Sequence, residues 1–275
     1  MNLLHNNKKD FFELINIISR YYNISTTFVE KDYWITLVLN RLACSKDANS
    51  FVFKGGTSLS KGFHLIDRFS EDIDIAMIKE ELSGNAIKSK LRSVEKEISV
   101  DLNEIDEPEI TSKGSMFRKS VFQYPSFSTD RLRQNNSNRL IIEINSFANP
   151  YPYSRQTIQS LITQYLKETQ QESIINKYNL IPFELNVLDK TQTMIEKLIS
   201  LIRFSFDSFP ERALAKKVRH FYDLFYLMND EQCITYLKSD LFQKDLLTLL
   251  KHDQNSFDTP LGWNIKKNRR VPIIN

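Results

Sequence analysis

A chain of 275 residues that is 41% hydrophobic and 12% aromatic has enough apolar side chains for one large domain or two ordinary ones, the composition of a soluble globular protein. Its 37 basic and 34 acidic residues leave a formal net charge of only +3, so any attraction for nucleic acid must come from local patches. Two distant cysteines, Cys44 and Cys233, argue against a disulfide framework or a zinc site, and the lack of a membrane-length apolar run or an apolar leader predicts a cytoplasmic protein with no membrane partner.

The N-terminal part reads as two helices. Asp10 to Tyr22 places Leu14, Ile15 and Ile18 on one stripe, the pattern of an amphipathic helix on a core. After Asn23, Ser25 or Thr26 can cap a second helix running to about Ala43, with Val29, Tyr33, Leu37 and Leu42 on one side. Glu30, Lys31 and Arg41 are then available to solvent. The string Glu30-Lys31-Asp32-Tyr33 by itself reads as a solvated face.

Phe51 to Met77 carries the chemistry. Phe51 to Phe53 has strand character, a Gly55-Gly56 break with Thr57 and Ser58 follows, and Leu59, Phe63 and Ile66 recur at helical spacing. Glycines let backbone N–H groups approach a ligand, and a helix start favours anions, so Gly55, Gly56, Thr57 and Ser58 form a candidate phosphate turn, with Lys61 in reach. A strand over Phe69 to Ile78 puts Glu71, Ile73, Ile75 and Met77 on one face and Asp72, Asp74 and Ala76 on the other. Two carboxylates so placed repel unless a cation lies between them, and oxygen ligands suit Mg²⁺ or Mn²⁺. The order of these parts, more than any one of them, points to a metal-bound phosphate ester.

Beyond this stretch, Lys79 to Asn103 is helix-compatible, Glu104 to Ser115 is an irregular connection, Val121 to Phe127 is a strand, and Arg131 to Arg139 has loop composition. Arg139 to Phe147 reads as a strand with Ile142 and Ile144 facing one way, Glu143 and Asn145 the other. The proline-marked run Asn149 to Ser154 marks a domain change, after which helical sequence dominates. Thr191 to Phe206 offers Met194, Ile195, Leu198, Leu201 and Ile202 to a core. A single helix over Glu211 to Met228 packs Leu214, Val218, Phe221 and Phe225, with Arg212, Lys216, Arg219 and Asp223 on another face. From Gln232 onward no motif is found, and the basic Lys266 to Arg270 reads as a solvated terminus.

FKGGTSLSKGF followed by RFSEDIDIA resembles the AbiEii/AbiGii toxin family, a branch of the nucleotidyltransferase superfamily that includes the MenT toxins. EKDY at Glu30 to Tyr33, EKLISLIR around Lys197 and RHFYDLFYL around Asp223 resemble the family's other motifs. The resemblance implies an α+β fold: a nucleotidyltransferase-like mixed sheet with flanking helices over residues 1–150, then a mainly helical domain over 151–275 that completes a cleft. It implies Asp72, Asp74, Lys197 and Asp223 as catalytic residues, with Lys197 on the nucleotide's phosphates and Asp223 near the acceptor hydroxyl. By superfamily analogy Glu143 is a third metal ligand. The implied activity is metal-dependent transfer of a nucleoside monophosphate from a nucleoside triphosphate to a hydroxyl, on RNA of tRNA type, by the toxin of a toxin-antitoxin or phage-defence system, with an antitoxin as partner. Transfer to a small-molecule or protein hydroxyl, and nucleotide binding without catalysis, are the alternatives.

Overall fold

The computed structural model describes residues 2–68, 72–78, 81–126 and 138–264. The chain divides into two compact units, Met1–Val187 and Leu188–Asn275. In the first, α1 (Lys8–Tyr22) starts where the Asn7 side chain accepts the Asp10 N–H and stops where Asn23 turns left-handed at φ 53°. Ser25 caps α2 (Thr26–Cys44) as its spacing predicts, accepting the Thr27 N–H at 3.3 Å.

The strands are β1 (Phe51–Lys54), β2 (Asp72–Met77), β3 (Asn103–Ile105), β4 (Ser112–Lys113), β5 (Phe117–Gln123), β6 (Arg139–Asn145), β7 (Tyr153–Ile158) and β8 (Phe183–Leu188). They form one mixed sheet in the order β3-β5-β6-β2-β1-β8-β7, with β4 on β5. β1 runs antiparallel to β2, and β2 parallel to β6. The helices of this unit are completed by α3 (Gly55–Lys61), α4 (Gly84–Ile98), α5 (Leu161–Glu168) and α6 (Glu172–Tyr178).

Alternation along the central strands decides the layering. Phe51, Phe53, Ile73, Ile75, Ile142 and Ile144 share one core with Phe11, Ile18, Val29, Trp34, Leu39, Leu91, Val94 and Ile162, so α1, α2, α4 and α5 cover one face of the sheet. Burying each large aliphatic side chain contributes roughly 1.5–3 kcal/mol. The intervening residues, Asp72, Asp74 and Glu143, therefore belong to the opposite face.

In the first unit four expectations change. Glu30, Lys31 and Asp32 are buried rather than solvated. The helix after Gly55 ends at Lys61, because Gly62 closes it and His64 takes φ 51°. Glu104 to Ser115 contributes β3 and β4. The proline-marked run lies between β6 and β7 of the first unit, and residues 151–187 supply β7, α5, α6 and most of β8, so the boundary between units falls some way beyond it. The positions assigned to Glu71, to residues 131–137 of the loop and to the Lys266 to Arg270 tail lie outside the described residues.

The second unit holds α7 (Lys190–Ser205), α8 (Pro210–Ala215), α9 (Val218–Leu227), α10 (Glu231–Leu237) and α11 (Asp240–Ser256). Ile195, Ile199 and Trp263 anchor a core with Phe242, Leu246, Leu249 and Phe257. The single helix expected over Glu211 to Met228 is broken at Lys216 and Lys217, and its packed face differs from the expected one, although Arg212, Lys216 and Arg219 are exposed as expected. Val218, Phe221 and Phe225 are 64%, 50% and 64% exposed, while Asp223, Leu224 and Leu227 are buried. Ile202, expected in the core, is also exposed.

Candidate active site

Strand pairing assembles the site. Lys54, the last residue of β1, lies opposite Asp74 in β2, and Asp74 lies beside Glu143 in β6. Asp72, two residues earlier, shares Asp74's face. Three carboxylates on two neighbouring strands thus meet beside the glycine turn. Lys119 of β5 pairs in register with Glu143, and its Nζ is 3.3 Å from Glu143 Oε2.

Asp74 is buried within this concentration of negative charge. Burial, then the Glu143 charge, then that of Asp72 push its carboxyl from 3.8 up to about 7, against the opposing pull of Lys54 and Lys119. The glycine turn closes directly over this group. Gly55 has φ +79°, and a Cβ there would come 2.1 Å from Asp74 Oδ2. Only a residue without a side chain allows that approach.

The hydroxyls of the turn point back into the fold. Thr57 Oγ1 donates to the Asp72 carbonyl at 2.6 Å, and Ser58 Oγ donates to the Gly55 carbonyl at 2.8 Å. They brace the turn against β2. Lys61 is directed elsewhere: its ammonium is ion-paired with Asp32 and donates to the Gln159 carbonyl at 3.1 Å. Asp32 in turn accepts the Leu161 N–H at 2.7 Å, and Glu30 accepts from Ser126 Oγ at 2.9 Å. The Glu-Lys-Asp-Tyr string is thus a buried brace joining α2, α3 and α5, and its period alone carried no sign of that.

In the second unit Lys197 of α7 and Asp223 of α9 meet as a buried ion pair, Nζ to Oδ2 2.7 Å. The expected residues therefore fall into three sets. Asp72, Asp74, Glu143 and Gly55 to Ser58 stand together, Lys61 is held by Asp32, and Lys197 is held with Asp223.

The chemistry of these groups suits a divalent cation. No group of three or more His, Cys, Asp or Glu side chains among the described residues is gathered so as to hold a metal ion. Mg²⁺ does not require one, since it is commonly held by one or two carboxylates, waters and substrate phosphates. Asp72 and Asp74 supply that donor set, and the proton affinity of Asp74, raised first by burial and then by the Glu143 and Asp72 charges, is one that a cation at these oxygens would lower. The residues fit the ion.

A family model described as nucleotidyl transferase AbiEii toxin, type IV TA system, matches residues 37–274. The Glu30 to Tyr33 string precedes that range. Among solved structures the chain is similar to MenT4, a nucleotidyltransferase toxin from Mycobacterium tuberculosis H37Rv, at 16% identity and a TM-score of 0.48, over 69% of this chain and 59% of that one. It is also similar to JHP933 from Helicobacter pylori, at 18% identity and a TM-score of 0.42, over 90% of this chain and 85% of that one. The chain thus spans less than two thirds of the length of MenT4. No curated protein sequence matches it.

Proposed function

The chain belongs to the AbiEii nucleotidyltransferase toxin family, and from that premise we propose that it moves a nucleoside monophosphate from a nucleoside triphosphate to a hydroxyl of RNA, of the tRNA class. The observation that carries this reading is the Asp72 and Asp74 pair beneath the Gly55 turn. In such a transfer the acceptor oxygen bonds to the α-phosphorus, the bond from that phosphorus to the bridging oxygen breaks, and pyrophosphate leaves with the electron pair.

Asp72 and Asp74 would hold Mg²⁺ or Mn²⁺, with Glu143 beside them as a third oxygen donor on exchange from Lys119. The ion, when bound, neutralises phosphate charge and lowers the pKa of the acceptor hydroxyl. Gly55 and Gly56 would offer backbone N–H groups to the phosphates, and Thr57 and Ser58 would act by fixing that turn. This is catalysis by positioning and electrostatics. For the second unit, resemblance to the family's motifs is the support: Lys197 would contact phosphate oxygens and Asp223 would help to activate the acceptor hydroxyl, roles that require the ion pair between them to open. The role as a toxin opposed by an antitoxin follows from the same membership.

The test is incubation with each labelled nucleoside triphosphate, Mg²⁺ and total cellular RNA or protein. Label should enter RNA with wild-type protein and fall at least about 100-fold with Asp72→Asn. Label in protein or a small molecule instead would reassign the acceptor, and full transfer by a folded Asp72→Asn variant would remove the site.

A further inference from the structure

Strand register carries one charged row across the middle of the sheet. Lys54 of β1 lies opposite Asp74 of β2, Asp74 lies beside Glu143 of β6, and Glu143 lies opposite Lys119 of β5. Residues paired in register share a face, so two carboxylates stand between a lysine at either end. The glycine turn follows Lys54 directly and closes over Asp74. The turn therefore marks the β1 end of the row, and Lys119 marks the β5 end, two strands or about 10 Å beyond Asp74.

Lys119 does little for the fold. Its contact with Glu143 is 3.3 Å, with the two side chains 31% and 25% exposed, and a partly solvated pair of this kind contributes less than about 1 kcal/mol. The next residue in β5 makes the contrast. Arg118 is turned to the other face, where it is bound to the buried Glu95. Lys119 thus stands on the carboxylate face, within reach of water and of anything that approaches the carboxylates from β5.

Nucleotidyl transfer needs the entering and leaving oxygens on opposite sides of the α-phosphorus. With pyrophosphate leaving at the glycine turn and the α-phosphorus beside Asp72 and Asp74, the acceptor hydroxyl enters from the side of β6 and β5. A strand end brings a backbone phosphate beside its terminal hydroxyl. We infer that Lys119 is the contact for that acceptor phosphate: Glu143 turns to the metal-bound nucleotide, and the ammonium it releases holds the RNA backbone. This rests on the proposed transfer to RNA, and it names a substrate-binding residue that the sequence motifs do not include.

Fluorescence anisotropy of labelled total tRNA with the full chain, in the presence of a nucleoside triphosphate carrying a methylene between its α- and β-phosphorus, tests it. In Mg²⁺, Lys119→Met should weaken binding at least about fivefold and lower the slope of log affinity against log salt by about 0.7–0.9, the share of one phosphate contact. Lys119→Arg should stay close to wild type, and Lys119→Gln should repeat the loss. In EDTA, with Glu143 holding Lys119, the Met variant should match wild type. Mn²⁺ alone should bind the Met variant at least as tightly as wild type, because Glu143 has lost a competing cation. The inference is overturned by wild-type protein without affinity for tRNA in Mg²⁺, by RNA affinity that Lys119→Met leaves unchanged, by an equal loss in EDTA, by a loss that Lys119→Arg shares in full, or by weaker Mn²⁺ binding. Label entering RNA from wild-type protein while the Met variant binds RNA normally keeps the proposed activity and removes Lys119 from it. Label entering only protein or a small molecule removes both.

Discussion

Asp74 is under two opposed demands. As a carboxylate it is the natural seat of a cation, yet in the folded chain its charge is penalised by burial, by Glu143 and by Asp72. Its folded pKa of about 7 lies above the ordinary 3.8. The metal-free folded state therefore holds a proton that the unfolded state has released, and this group's contribution to stability falls as pH rises from about 4 to about 7. An amide keeps the shape and loses the repulsion. Asp74→Asn should thus abolish transfer and, in EDTA at pH 8, raise stability by about 1–2 kcal/mol, with little difference from wild type at pH 4. Denaturant melts at both pH values measure this, and an Asn variant less stable than wild type at pH 8 would show that Asp74 serves the fold.

At the scale of elements, Asp32 ties three helices through one carboxylate, accepting Lys61 of α3 and the first N–H of α5. Removing it strands a buried lysine, so Asp32→Ala should cost about 3–5 kcal/mol, and adding Lys61→Met should recover part of that loss. A double-mutant cycle in urea reads the coupling, and simple additivity would mean that the pair is not the link. The faces of α9 give the complementary case. Leu224→Ala should cost about 2–3 kcal/mol, whereas Phe225→Ser should stay within about 0.5 kcal/mol in the same assay. These two helices also show what was legible. The alternation in β2 and β6 fixed the faces of Asp72, Asp74 and Glu143, because one buried face leaves a two-residue period only one register. The chemistry of Glu30 to Asp32 was not legible, since burial of a charged string depends on partners 29 and 129 residues away in sequence. In α9 the aromatic stripe mimicked a core face, and the buried face instead includes a charged residue, Asp223, satisfied by Lys197 of another helix.

At the scale of the whole molecule, the residues proposed for chemistry are divided between two units, each with its own core and its own ion pairs. Lys197→Ala leaves Asp223 buried without this partner and should destabilise the second unit by about 3–5 kcal/mol, while Lys197→Met with Asp223→Leu should be milder. Stabilisation by Mg²⁺ or Mn²⁺, followed as a shift in Tm, should survive the paired substitution, since Asp72, Asp74 and Glu143 all lie in the first unit, whereas transfer should be lost. Disappearance of the metal-induced shift would show that the two units build the ion site jointly. The pairing of Lys54 with Asp74 has a further consequence for how such a chain can vary. A single insertion within β2 would reverse its inside and outside from that point, sending isoleucines to the carboxylate face and aspartates into the core. The site has a parity: only even steps within the strand preserve its meaning.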